Sequence, residues 1–173
     1  MSFRKKILIF DTSILCVWLK VPGMCSAGPD DDKWDFVRVQ KKIDEEIKKG
    51  TFFVLPLAVI IETGNHIAHA HANRREVAYD FADLMEKTLD NTSPWAAFTQ
   101  QSELWNPEGL KKLALRWRDT AESGQSLGDA SIVDVANYYY KIDYEVEIFT
   151  GDVGLKAFEP SPRENKPKPR RSR

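Results

Sequence analysis

The chain has 173 residues, 42% of them apolar and 29% charged, so its composition excludes both a disordered chain and a protein embedded in a membrane. This length suits a single domain. The 25 basic and 26 acidic residues give a formal net charge of −1, which excludes a strongly basic nucleic-acid coat protein. The charge is unevenly distributed, because residues 163–173 carry +5 and the rest of the chain therefore carries −6.

Apolar runs alternate with helical patterns along the chain. A wholly apolar run rich in β-branched residues at 7–10 predicts a strand that is buried on both faces. A second buried strand is predicted at 51–55 and a last strand at 146–149. Helices are predicted after 11–13 and at 33–49, 57–70, 74–89, 107–118 and 129–140, with a loop at 22–32, a segment of unclear period at 91–106, a linker at 124–128 and a short helical turn after residue 152. This alternation predicts an α/β fold with a central, mainly parallel sheet.

The end of the chain differs in composition from the rest. From residue 160 onward it is rich in Pro, Lys and Arg and has almost no apolar residues. We therefore expect one domain at 1–159 and a basic, disordered tail at 160–173 that attracts phosphates.

The cysteines and the N-terminus bear on the compartment. Cys16 and Cys25 form neither a disulfide framework nor a C-x-x-C zinc motif, which favours a reducing compartment. Asp11 and Lys20 interrupt the apolar stretch that a signal peptide would need. No apolar run approaches the roughly 18 residues that cross a bilayer. We expect a soluble cytoplasmic protein with no membrane partner.

Four acidic residues lie at the ends of predicted elements or interrupt apolar runs: Asp11, Glu62, Asp129 and Asp152. Asp11 directly follows the first strand, and two residues separate Asp152 from the last strand. Ligands bind outside the carboxyl ends of parallel strands, so both acids are expected at that edge of the sheet. Glu62 interrupts an apolar helical stretch, where an unpaired carboxylate is costly. The pattern indicates a functional site.

Three of the four acids also have a structural interpretation. Asp11 and Asp129 could cap helices, and Asp152 could occupy a turn after Gly151. If the carboxylates cluster, their mutual repulsion calls for a hard divalent cation, and oxygen ligands favour Mg²⁺ or Mn²⁺ over zinc. Such a cation activates a water and stabilises charge on a scissile phosphate without a nucleophilic side chain.

The segments that contain these acids resemble the PIN domain family over about residues 5–158. They are ILIFDTSIL (7–15), LPLAVIIE (55–62), LGDASIV (127–133) and IFTGD (148–152), in this order. The resemblance implies a three-layer α/β/α sandwich and a metal-dependent endoribonuclease that cuts single-stranded RNA. It implies that Asp11, Glu62, Asp129 and Asp152 are the catalytic and metal-binding acids. Thr12, Ser13 and Thr150 match the small hydroxyl residues beside those acids and are candidate substrate contacts.

The resemblance also bears on partners. Compact PIN ribonucleases act as toxins of toxin–antitoxin pairs, so it implies RNA, an antitoxin-like protein and a second copy of the chain as partners. This chain is longer than those toxins, because of the loop at 22–32 and the basic tail. The alternative function is a non-catalytic PIN-like module that binds RNA or a protein.

Polar residues near Glu62 add further candidates. Asn65 lies about one turn beyond Glu62 and could hydrogen-bond a ligand carboxylate or a phosphate. His66 and His69 share a helical face with Glu62, which is compatible with a transition-metal site, with a substrate contact through His66, or with a solvated helix end. Asp134, five residues after Asp129, is expected to have a surface or structural role.

Overall fold

The computed structural model describes residues 4–161, which contain five strands. They are β1 (Lys6–Phe10), β2 (Ser26–Ala27), β3 (Trp34–Asp35), β4 (Phe52–Val54) and β5 (Glu145–Phe149). The central sheet is parallel, with the order β4-β1-β5, and β2 pairs with β3 in a separate antiparallel hairpin. Apart from residues 160 and 161, the predicted basic tail lies outside the described residues.

Helices flank the central sheet. They are α1 (Thr12–Trp18), α2 (Phe36–Lys48), α3 (Leu57–His69), α4 (Arg74–Leu89), α5 (Ser102–Trp105), α6 (Pro107–Thr120), α7 (Leu127–Lys141) and α8 (Val153–Lys156), with 3₁₀ turns at Phe98–Gln101 and Ala121–Ser123. The predicted α/β fold with a parallel sheet is confirmed. Among residues 4–161, none of the helices combines the length and apolar character needed to span a bilayer.

β1 is the centre of the core. Residues 7–10 of this strand are at most 1% exposed, because β4 and β5 cover its edges and helices cover its faces. Phe10, its last residue, has its ring 5.3 Å from that of Phe53 and 5.5 Å from that of Phe149. Aromatic rings from all three strands thus meet beneath the carboxyl edge of the sheet and support the residues that follow each strand.

The predicted loop at 22–32 is partly ordered by the β2–β3 hairpin. Trp34 of β3 packs edge-to-face against Phe149 at a centroid distance of 5.0 Å, and the Arg38 guanidinium lies 3.8 Å from the centre of the Trp34 ring. The Asp35 carboxylate accepts a hydrogen bond from the backbone N–H of Arg38 and caps α2. The helix predicted at 33–49 therefore begins later, at Phe36, because its first residues pair with β2.

Two other segments differ from their predictions. The segment 91–106, whose period is unclear in the sequence, contains a 3₁₀ turn and α5, and Trp95 forms an isolated parallel bridge with Phe53 of β4. The linker predicted at 124–128 ends early, because Leu127 and Gly128 already belong to α7. The Ser126 hydroxyl accepts a hydrogen bond from the N–H of Asp129 and caps that helix.

A buried ionic cluster joins α2 to the amino-terminal half of the sheet. The Glu46 side chain is fully buried and accepts hydrogen bonds from Thr51 at 2.6 Å and from Lys42 and Lys49 at 3.1 Å. Lys6 of β1 lies 3.1 Å from Glu46 and 2.6 Å from Glu147 of β5. Burial alone would raise the pKa of Glu46, but these partners outweigh it and lower the pKa to about 2.

β5 forms one edge of the sheet among the described residues. Its outward-facing backbone is engaged by one side chain at the end of α8 and one just after it. The Glu159 carboxylate accepts a hydrogen bond from the N–H of Ile148 at 2.7 Å, and Lys156 donates to the carbonyl of the same residue at 3.0 Å. Lys156 and Glu159 are also ion-paired. We call these two side chains the edge clasp.

Candidate functional site

Asp11 lies where β1 ends, at the carboxyl edge of the sheet. One of its carboxylate oxygens accepts the N–H of Thr12 at 2.7 Å, so Asp11 caps α1 as the structural interpretation expects. The other oxygen accepts the hydroxyls of Ser13 at 2.6 Å and Thr150 at 2.8 Å. Three donors therefore hold the carboxylate in one orientation. Burial raises the pKa of Asp11, the hydrogen bonds oppose this rise, and the charge of Asp129 adds to it.

Glu62 projects from α3 toward the same region. Its carboxylate accepts the Thr12 hydroxyl at 2.8 Å, which ties α3 to the start of α1. Gly128 of α7 lies directly against the other oxygen, because a Cβ added to this glycine would overlap Glu62 Oε1. A residue with a side chain at position 128 would push the carboxylate aside, so Gly128 leaves the space that Glu62 occupies.

Asp129 does not act as a helix cap. Ser126 provides the cap of α7, and Asp129 lies in the first helical turn with its side chain half-buried. It is close enough to Asp11 for its charge to raise the pKa of that residue. The structural interpretation of Asp129 as a helix cap is therefore wrong.

Asp152 caps the short helix α8. Its carboxylate accepts the N–H of Gly154 at 2.7 Å and that of Leu155 at 3.1 Å, and its own N–H donates to the Thr150 hydroxyl at 2.9 Å. Since Thr150 in turn donates to Asp11, one hydroxyl links the two strand ends. The turn that holds Asp152 is thereby fixed relative to Asp11.

Three of the four predicted acids line one open cleft. The cleft has a volume of about 340 Å³ and is lined by Asp11, Thr12, Ser13, Met24, Gly28, Glu62, His66, Gly151 and Asp152. Asp129 is not among the lining residues, although it lies near Asp11. Acids that are far apart in the chain are thus brought to a single concave surface at the carboxyl edge of the sheet.

The predicted polar contacts divide into two groups. Thr12, Ser13 and Thr150 each donate their hydroxyl hydrogen to an acid, so in this arrangement they orient carboxylates. Asn65 is exposed on α3 and does not line the cleft.

The neighbouring candidates divide in the same way. His66 lines the cleft, whereas His69 is exposed and its ring contacts the carbonyl of Asn65 within its own helix. Asp134 forms an ion pair with Arg116 of α6, which is the structural role expected of it.

The hairpin loop supplies one wall of the cleft, which sequence reasoning did not predict. Gly28, at φ +91°, lies so close to Gly151 that a Cβ at Gly151 would be 2.5 Å from the Gly28 nitrogen. Met24 lines the same wall. The only trace of this wall in the sequence is the presence of Gly28 and Gly151, and two glycines so far apart in the chain do not by themselves predict a contact.

The side chains of the cleft suit a hard divalent cation, because the charged atoms that could ligate it are carboxylate oxygens. Within residues 4–161, however, no group of three or more His, Cys, Asp or Glu side chains is arranged so that it could hold a metal ion. One Asp152 oxygen is directed onto α8, and Asp11 is held by three donors. Glu62 has one carboxylate oxygen engaged, by Thr12.

Comparison of the chain with protein-family models, with curated proteins and with solved structures gave no match. The fold and cleft define an α/β protein with an acidic site at the carboxyl edge of a parallel sheet. What the protein does is therefore inferred from the chemistry of this cleft and from the four segments that resemble PIN domains.

Proposed function

We propose that the protein is a Mg²⁺- or Mn²⁺-dependent endoribonuclease of the PIN type that hydrolyses phosphodiester bonds of single-stranded RNA. A three-layer α/β/α arrangement around the sheet is part of this proposal. One observation carries it: the buried Asp11 carboxylate at the end of the central strand shares an open cleft with Glu62 and Asp152. These residues stand in three of the four segments that resemble PIN domains, and Asp129 of the fourth lies near Asp11.

The carboxylates are the groups that would hold the cation. Asp11 and Glu62 would be its main ligands, and Asp129 and Asp152 would add negative charge. A bound Mg²⁺ or Mn²⁺ would supply an activated water and stabilise charge on the scissile phosphate. Such a cation also relieves the repulsion that several carboxylates in one cleft exert on one another.

The chain's own residues hold these acids in place. The Ser13 and Thr150 hydroxyls and the Thr12 N–H fix the Asp11 carboxylate, and the Thr12 hydroxyl orients Glu62. Because these donors are in position before a ligand arrives, little reorganisation is needed in the reaction. The cleft is open to solvent, which leaves its carboxylates accessible to a substrate.

Cleavage of single-stranded RNA by the purified protein with Mn²⁺ tests this proposal. We expect activity that EDTA abolishes, and a loss of at least about 10²-fold in Asp11→Asn and Asp152→Asn, since removal of one electrostatic group from an active site has effects of this size in other enzymes. Asp80→Asn, an exposed acid on α4, is the matched control and should cleave normally. Equal cleavage by wild type and Asp11→Asn would refute the proposal.

A second candidate function is a non-catalytic module that binds RNA or a protein. It is favoured by one observation, that the Asp152 carboxylate caps α8 and is directed to the amides of Gly154 and Leu155. Calorimetry separates the two candidates: RNA binding without any binding of Mg²⁺ or Mn²⁺ supports the module and contradicts the nuclease. An antitoxin-like partner and a homodimer rest on the PIN resemblance alone.

A further inference from the structure

The cleft contains few groups that can give a proton to a substrate. Among its lining residues, Thr12 and Ser13 already donate their hydroxyl hydrogens to Glu62 and Asp11. Met24 and the two glycines have no side-chain N–H or O–H group. The remaining lining side chains are three carboxylates and one imidazole, that of His66.

Hydrolysis of a phosphodiester creates a demand for such a proton. As the bond from phosphorus to the leaving oxygen breaks, the electron pair stays on that oxygen, and an alkoxide is a poor leaving group unless it is protonated. Asp11 and Glu62 cannot supply the proton while they serve as ionised ligands of a cation, and the Asp152 carboxylate accepts the N–H groups of Gly154 and Leu155. A histidine within the cleft is suited to this step, because imidazolium is the commonest general acid near neutral pH.

The position of His66 fits this role. It lies on α3 one turn beyond Glu62, so both side chains are on the same face of the helix and border the same cleft. Its side chain is exposed, and it can therefore approach a bound strand without the desolvation and repacking that a buried group would require. Asp11, Glu62 and Asp152 are the charged groups that face this cleft from β1, α3 and the turn after β5.

We propose that His66 is the general acid of the hydrolysis, an inference that rests on the proposed function. The oxygen of a water molecule bonds to phosphorus, and the bond to the leaving oxygen breaks. The imidazolium of His66 gives its proton to that leaving oxygen, while the attacking water loses a proton to solvent. Neutral His66 then regains a proton from solvent before the next turnover.

A substrate with a sulfur leaving group tests the proposal. The cleavage site and the product ends are mapped first on an RNA oligonucleotide. The bridging leaving oxygen is then replaced by sulfur, which departs as a thiolate without protonation. With Mn²⁺, we expect His66→Gln to lower the rate on the oxygen substrate about 10²-fold and the rate on the sulfur substrate less than about threefold. His69→Gln, one turn further along the same helix, is the matched control and should cleave both substrates normally.

The outcomes separate this inference from the function on which it rests. Asp11→Asn should lose activity on both substrates, because it acts on the site and not on the leaving group. An equal loss by His66→Gln on both substrates would show a binding or positioning role and overturn the general acid, and no loss on either would overturn it as well. If wild type cleaves neither substrate, the nuclease proposal fails first.

Discussion

Gly128 controls the position of a carboxylate although it has no side chain. It lies at the start of α7, where its missing Cβ leaves room for Glu62 from α3. The segment LGDASIV thus contributes two things to the cleft region, the charge of Asp129 and the space beside Glu62. Gly128 is therefore part of the geometry of the cleft, although it carries no functional group.

Gly128→Ala is expected to lower activity more than stability. The new methyl group would meet the end of a flexible side chain, so Glu62 can turn away at little cost to folding, within about 1 kcal/mol. A displaced carboxylate should reduce the rate of RNA cleavage by up to about 10²-fold. Thermal unfolding and cleavage assays on the same protein preparation measure the two effects.

Gly64→Ala is the matched control for this substitution. Gly64 also lies within a helix, but the nearest atom to an added Cβ is 4.0 Å away, in the Phe81 ring. The Gly64→Ala variant should be more stable than wild type by up to about 1 kcal/mol and fully active. Full activity of Gly128→Ala would show that the space beside Glu62 is unimportant.

The predicted site residues show what sequence can and cannot distinguish. Asp11 and Asp152 each cap a helix and also line the cleft, so a capping role does not exclude a place in the proposed site. A pattern of residue types cannot separate these roles, because both use the same carboxylate chemistry. The Ser126 cap that excludes capping by Asp129 depends on where α7 begins, which the sequence placed two residues too late.

α2 is attached to the sheet by charged as well as apolar side chains. Glu46 of this helix is fully buried yet surrounded by Lys6, Lys42 and Lys49. Such a cluster is costly to disrupt, because loss of its lysine partners would leave the buried Glu46 charge without compensation. The cluster lies at the end of β1 opposite the cleft, so it affects folding without touching the proposed chemistry.

Glu46 should make the protein sensitive to acid. Its pKa in the folded protein, about 2, lies below the ordinary value of 4.5. The stabilisation from its ionised form is therefore fully present above about pH 4.5 and is lost as the pH falls toward 2. We expect the free energy of unfolding to fall by up to about 3 kcal/mol over this range.

Denaturant unfolding at a series of pH values measures this effect. Glu46→Gln should be less stable than wild type at neutral pH and should lose less stability between pH 4.5 and 2, because its side chain does not titrate. Glu45→Gln, at the exposed neighbouring position of the same helix, should follow the wild-type curve. Parallel curves for wild type and Glu46→Gln would contradict the assignment.

Most of the central architecture could be predicted from the sequence. The runs at 7–10, 51–55 and 146–149 are almost wholly apolar because β1 and its neighbours are covered on both faces, and this leaves a pattern that no exposed strand shares. Helix α4, Arg74–Leu89, has the bounds that its period predicts. Within the described residues, no predicted strand of the central sheet is missing.

The hairpin and the wall of the cleft could not be predicted in this way. β2 and β3 have two residues each and depend on contacts with Phe149 and Gly151, which are more than 100 residues away in the chain. Local propensity does not encode contacts of this kind. The convergence of Asp11, Glu62 and Asp152 on one cleft likewise depends on the strand order, and only the rule about carboxyl strand ends made it predictable.

The edge clasp has a consequence for the behaviour of many molecules together. A strand at the border of a sheet offers unpaired amides and carbonyls to any other chain, and this is how sheets grow from one molecule into the next. In the described part of the chain, Lys156 and Glu159 occupy both backbone groups of Ile148, the fourth of the five residues of β5 with which an incoming strand would have to pair. Two side chains of opposite charge thus block strand pairing at this residue, and we expect them to disfavour edge-to-edge association when the protein is concentrated.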